Sequence, residues 1–203
     1  MTPTDLPQLS ERLFHIFRKP DFLAMKGLAN EVPIHIQTYE PAAEDGIRRM
    51  VGGLVSRLRS QGLVLKALDL FDLVLGELED AEILEDLLSG ESQSLKGDIL
   101  ETLQNYSDPR THLIPRLIRE IGGDGTQLTL ITGSGRLFPF LRTHTILESL
   151  QPAMLRHPVV IFFPGEYLQE PGGGSHLRLF GSIPSPRIHN PYYRATNLDH
   201  HRL

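Results

Sequence analysis

Cysteine is absent from this 203-residue chain. That excludes disulfides, thiolate-held zinc, iron–sulfur clusters and a cysteine nucleophile, and it fits a reducing compartment. Long apolar runs are also missing. None approaches the ~20 residues that a membrane helix needs. The first residues, Met1 to Asp5, show no basic cap leading into an apolar stretch, so no secretory signal is expected and the cytoplasm is the expected location. Net positive charge is missing too. The balance is −5, which argues against an electrostatic nucleic-acid binder acting alone. Neither a G-x-x-x-x-G-K-[ST] phosphate loop, nor a G-x-S-x-G nucleophile elbow, nor HExxH occurs anywhere.

What is present is enough for a folded core. Hydrophobic residues make up 40% of the chain and charged residues 22%, unlike a disordered sequence. The charge is unevenly spread. Residues 1–106 hold 10 Lys+Arg and 18 Asp+Glu, and residues 107–203 hold 10 and 7. All four lysines (Lys19, Lys26, Lys66, Lys96) lie in the first part, so every later cation is an arginine. Arginine's planar fork suits carboxylates, phosphates and interfaces, although compositional drift would produce the same pattern. The most acidic stretch, Leu63 to Gly90, interleaves its carboxylates with leucines. It reads as a solvated helix face or as a docking surface for a basic partner.

Hydrophobic periodicity supplies the elements. Pro7–Phe17 reads as an amphipathic helix stopped by Pro20. Val32–Tyr39 alternates as a strand, placed near a sheet edge by Pro33. In Glu44–Gly62, Ile47, Met50, Val51, Leu54, Val55 and Leu58 form one stripe on a 3.6-residue period. Gly52 and Gly53 are read as permitting close helix–sheet packing. Leu63–Leu70 reads as a central strand. Phe71–Leu88 reads as a helix with a possible break at Gly76, and two further helices are expected over Leu95–Leu103 and His112–Ile121. Gln127–Thr132 is a strand that runs into Gly133-Ser-Gly135. A helix is expected over Leu137–Met154 with Pro139 in its first turn. Pro158–Phe163 is an unbroken apolar strand ending at Pro164-Gly165, as in a parallel sheet covered on both faces. Leu177–Phe180 is a short strand. Strands alternating with helices predict a three-layer α/β fold, a mostly parallel sheet with helices on both faces. Residues 1–203 are read as one domain, with 1–30 an N-terminal helical segment and 182–203 an extended C-terminal tail.

Chemistry is harder to find. The Gly133–Gly135 turn precedes a predicted helix and could hold an anion, but it lacks a following lysine and a third glycine. A tight structural turn is the plainer reading. Ser134 lacks the context of a nucleophile. His200-His201 lies near the last residue, and no metal-ligand spacing accompanies it. Tyr192, Tyr193 and Arg194 could stack bases or pack the last segment onto the sheet. No catalytic constellation, cofactor or metal site emerges.

Four blocks carry a resemblance: Thr132–Leu147, Pro158–Tyr167, Leu177–Gly181 and Tyr192–Ala195. In this order and spacing the chain resembles the BrxB family of BREX bacteriophage-exclusion systems, bacterial operons that block phage replication and methylate host DNA. The resemblance implies a non-catalytic adaptor. Its expected partners are the alkaline-phosphatase-like PglZ protein and, through it, the methyltransferase. It also implies an α/β core similar to P-loop or RecA-like domains without their Walker motifs. The motif residues it singles out are Gly133, Gly135, Arg136, Arg142, Phe163, Pro164, Gly165, Tyr167, Arg178, Phe180, Gly181, Tyr192, Tyr193 and Arg194. The rival expectations are a degenerate nucleotide-binding regulatory subunit and a nucleic-acid-binding accessory module, of which direct nucleic-acid binding is disfavoured by the charge.

Overall fold

The computed structural model describes residues 4–26, 32–123, 125–151, 153, 155–169, 175–181 and 195–200. The first helix, α1 (Leu6–Phe17), starts where the Asp5 carboxylate accepts the Gln8 N–H at 3.0 Å, and it buries Leu9, Leu13, Ile16 and Phe17 at helical spacing. Such a cap contributes about 1 kcal/mol. A single turn, α2 (Pro20–Leu23), follows it. Strand β1 (Ile34–Tyr39) leads to α3 (Glu44–Ser60), whose stripe Ile47, Val51, Leu54, Val55 and Leu58 is buried. Glu44 and Asp45 open that helix and Arg57 and Arg59 close it, each sign favourable at its end of the helix dipole. Gly62, at φ +83°, then turns the chain into β2 (Leu65–Asp69).

A helical excursion separates β2 from β3 (Leu128–Thr132). It comprises α4 (Leu70–Asp80), α5 (Leu84–Gly90), α6 (Lys96–Tyr106), a π-type turn at Pro109–Leu113 and α7 (Ile114–Ile121). After β3 come a 3₁₀ turn at Ser134–Leu137, α8 (Thr143–Leu150), β4 (Val159–Gln169), β5 (Ser175–Leu179) and the two-residue β6 (Thr196–Asn197). The sheet order is β2-β3-β4-β1-β6 with every neighbouring pair parallel, and β5 pairs antiparallel with the far half of β4.

Alternation along the strands divides the core. Val159, Ile161 and Phe163 of β4 pack with Ile34, Ile36 and Ile131 against α4, α7 and α8. Val160 and Phe162 pack with Leu128 and Leu130 against α1 and α3. Each fully buried side chain of this size is worth ~1.5–3 kcal/mol, so the two-sided burial of β4 makes it the centre of the fold. The α/β, mostly parallel, helix-covered architecture read from the sequence is therefore what the chain adopts.

Several elements differ from the sequence reading. The Leu63–Leu70 strand lies at the sheet edge, not its centre, because among the described residues β2 pairs only with β3. Strand β1 does lie near the edge as read, with only the two-residue β6 outside it among the described residues, but its alternation does not mark an open face, since His35 and Gln37 are buried as well as Ile34 and Ile36. Pro33 precedes the strand, and its carbonyl accepts the Val159 N–H at 2.8 Å. The helical break falls at residues 81–83, where Glu82 takes φ +60°, and not at Gly76. Gly76 instead faces the Arg116 guanidinium. Nothing approaches the Cβ positions of Gly52 or Gly53, so they serve no close packing. The expected Leu137–Met154 helix begins only at Thr143, with Pro139 in the turn before it. Strand β4 does not stop at Pro164-Gly165, because β5 supplies a new partner from Gly165 onward.

Candidate functional site

The parallel strands end together on one edge. Asp69 closes β2 opposite Thr132, and Tyr39 closes β1 opposite Pro164. Ligands of open α/β sheets sit outside such carboxyl ends, so the contents of this edge decide what it can do.

Asp69 organises it. Its carboxylate caps α4, accepting the Phe71 N–H at 3.0 Å and the Asp72 N–H at 3.4 Å, and it also accepts the Thr132 hydroxyl at 3.0 Å. Arg136 forms an ion pair with it, and Arg48 lies 3.9 Å away. Gly133 stands directly against this carboxylate at φ +79°. A side chain there would be strained by the left-handed backbone and would collide with Asp69. Next to this cluster the buried Tyr39 hydroxyl donates to Glu44 Oε2 at 2.5 Å. Burial, then the Glu44 carboxylate, pushes the phenol well above its usual range, so it stays neutral.

These contacts set the chemistry. The lone pairs of Asp69 are occupied by two amides, a hydroxyl and a guanidinium, which leaves it unsuited to act as a general base. A phosphate at the Gly133 turn would face that carboxylate. The Ser134 hydroxyl donates to the Phe162 carbonyl at 2.8 Å and is buried, so it is a packing group. Among the described residues no group of three or more His, Asp or Glu could hold a metal ion.

The outer surface of this edge is aromatic and cationic. The Arg136 guanidinium lies over the Phe71 ring at 5.1 Å, and Phe71 meets Phe140 at 6.4 Å between centroids. Arg142 lies over Phe138 at 5.5 Å, and Phe138 meets Phe180 edge-on at 6.0 Å. Phe180 is 37% exposed. Gly135 lets these groups close up, since a Cβ there would lie 2.5 Å from Pro164 Cγ and 3.3 Å from Phe180 Cε1.

The motif residues thus divide. Gly133, Gly135, Arg136, Arg142, Pro164 and Phe180 come together. Phe163, Pro164 and Gly165 are buried parts of β4, not a loop. Arg178 pairs with Glu166 at 3.2 Å across β4 and β5. Gly181 and Phe180 form the turn out of β5, both at positive φ. The Tyr167 hydroxyl donates to the Ala195 carbonyl at 2.8 Å. Tyr192, Tyr193 and Arg194 lie outside the described residues, as does His201. Sequence reading missed Asp69, Tyr39, Glu44, Arg48 and Phe71 as site residues, and Thr132 and Phe138 lay inside the Thr132–Leu147 block without being singled out. Only Asp69 carried a usable signal, an N-cap residue directly before an apolar helix start.

The sequence profile of the family described as BREX protein BrxB matches residues 66–198, from β2 through β6. The chain belongs to the BrxB family. A BREX protein BrxB of Bacillus cereus (strain H3081.97) is 30% identical over 201 residues, covering 94% of this chain and 97% of that protein. One of Escherichia coli O9:H4 (strain HS) is 22% identical over 192 residues, covering 88% and 93%. No solved structure matches the chain. Among the described residues no helix is long and apolar enough to cross a membrane.

Proposed function

We propose that this BrxB protein is a non-catalytic adaptor of its BREX system, binding the PglZ-like protein and, through it, the methyltransferase. The observation that carries this reading is the arginine–phenylalanine surface over the carboxyl edge. Where a ligand would sit, the Asp69–Arg136 pair and the Gly133 turn are packed together. Outside them Phe138, Phe180, Arg136 and Arg142 offer residue types enriched at protein–protein interfaces. The α/β core would correspond to a P-loop or RecA-like scaffold without Walker motifs. The Asp69 carboxylate speaks against the rival nucleotide-binding regulator, because it would repel a phosphate at Gly133.

Co-purification of the tagged chain with the other proteins of its operon tests the proposal. A complex containing the PglZ-like protein is expected, weakened by about tenfold or more in Phe180→Ala and Arg142→Glu. No stable complex with any of those proteins would overturn it.

A further inference from the structure

The excursion between β2 and β3 contains a surface that the sheet does not use. No residue from Glu82 to Asn105 is buried, although α5 and α6 carry Leu84, Leu87, Leu88, Ile99, Leu100 and Leu103. Leu95, at 73%, and Leu88, at 58%, are the most exposed large apolar side chains among the described residues. Helices of seven and eleven residues are too short to be stable in water without packing. Here only their edges reach the body, Leu103 being packed against the core. The same segment carries Glu82, Glu85, Asp86, Glu91, Asp98 and Glu101, against Lys96 as its one cation. Glu85, Asp86, Glu91, Asp98 and Glu101 form no ion pair among the described residues.

Exposed leucines interleaved with carboxylates fit a defined kind of occupant. We propose that α5 and α6 dock a basic amphipathic helix of another protein, its apolar stripe on Leu84, Leu87, Leu88 and Leu95 and its lysines or arginines on the interleaved carboxylates. The recognition would be that of an amphipathic helix laid against exposed leucines, with charges setting the register. Nucleic acid is repelled by the same carboxylates. A second copy of this chain is a poor match. Its arginine-rich helix α3 exposes Arg48, Arg49, Arg57 and Arg59 but buries its apolar stripe in its own core. The inference does not depend on the adaptor reading, which concerns the Phe180 surface.

Two synthetic peptides serve as probes, each of about five helical turns. One has leucines at i, i+3, i+4 and i+7 with lysine and arginine elsewhere; the other has the same composition permuted. Titrated into the full chain, the amphipathic peptide is expected to bind with a Kd on the order of micromolar. The permuted peptide is expected to bind about tenfold more weakly, as are the double variants E85K/D86K and L88S/L95S toward the first peptide. These positions are exposed, so circular dichroism and Tm should match the parent. Equal binding of both peptides would reduce the effect to bulk charge and overturn the proposal. So would binding that the variants leave unchanged, or amide shifts centred on Phe180, or a self-association that L88S/L95S abolishes.

Discussion

Removing the carboxylate of Asp69 should loosen the whole carboxyl edge, and the size of the effect can be worked from its contacts. Asp69→Ala deletes the α4 cap, worth about 1 kcal/mol, and the Thr132 hydrogen bond, worth about 1 kcal/mol. It also leaves Arg136 without its main counter-charge. A fully buried pair broken in this way costs ~3–5 kcal/mol. Arg136 is 28% exposed and keeps Asp72 at 3.8 Å, so about 1–2 kcal/mol is the fitting range here. The expected destabilisation is therefore about 3–4 kcal/mol. Asp69→Asn keeps a competent cap and loses mainly the charge, so it should cost about half as much. Urea unfolding followed by far-UV circular dichroism measures both, the chain having no tryptophan to report by fluorescence. Adding Arg136→Ala to each variant closes a double-mutant cycle, with a coupling of about 1 kcal/mol or more expected. An Asp69→Ala protein within about 0.5 kcal/mol of the parent, or an Asn variant as unstable as the Ala variant, would refute the central role given to this carboxylate.

Gly133→Ala should lower stability by more than about 1 kcal/mol, because Gly133 combines φ +79° with the Asp69 carboxylate at its Cβ position; thermal unfolding checks it. Burial lowers the pKa of His144 and of His157, the latter also through nearby Lys66, below the ordinary 6.5. The folded protein thus holds both neutral while the unfolded chain takes up protons. Stability should be full above about pH 6.5 and fall as pH drops toward the folded values, and Tm measured across that window should decline less in a His157→Gln protein. Arg12 donates to the Leu198 carbonyl at 2.7 Å, to Gln37 Oε1 at 2.7 Å and to Asp199 Oδ1 at 3.1 Å. Arg12→Ala should speed hydrogen exchange at Thr196 and Asn197 while α3 stays protected, and unchanged exchange there would contradict the clamp.

The sequence made the layers legible because its periodicities are strong. The α3 stripe, apart from the half-buried Met50, and the Pro158–Phe163 run bury what their spacing indicates, since two-sided burial leaves few alternatives. Strand order was not legible. Nothing in Leu65–Asp69 says that it pairs with β3, because pairing is set by the crossovers and not by the strand's own residues. The continuation of β4 through Pro164 depends on β5, which is distant information in the same sense. At the candidate site, Gly133, Gly135, Arg136 and Phe180 were visible as motif residues. Asp69 was submerged in an acidic stretch whose other members are mostly solvated. Its distinctness comes from Gly133 and Thr132, more than sixty residues away in sequence, and that separation hides it from any local reading.

The span matched by the family profile has a structural consequence. It begins at Lys66 and so leaves out α1, α2, β1 and α3. Yet β1 is not an appendage. It lies between β4 and β6, in register with β4 over six residues from Ile34 to Tyr39. Leu128, Leu130, Val160 and Phe162 share their core with α1, α2 and α3, Leu198 being the cluster's one described member after β4. Without the first 65 residues those side chains would lose most of their cover, and β4 would keep β3 but lose its other parallel partner along its most apolar half. Asp69 and Arg136 fall inside the matched span, whereas Tyr39, Glu44 and Arg48, which complete the same edge, fall outside it. The profile therefore marks where the sequence pattern is strongest and not where the folding unit ends. The carboxyl edge is assembled from both sides of that limit.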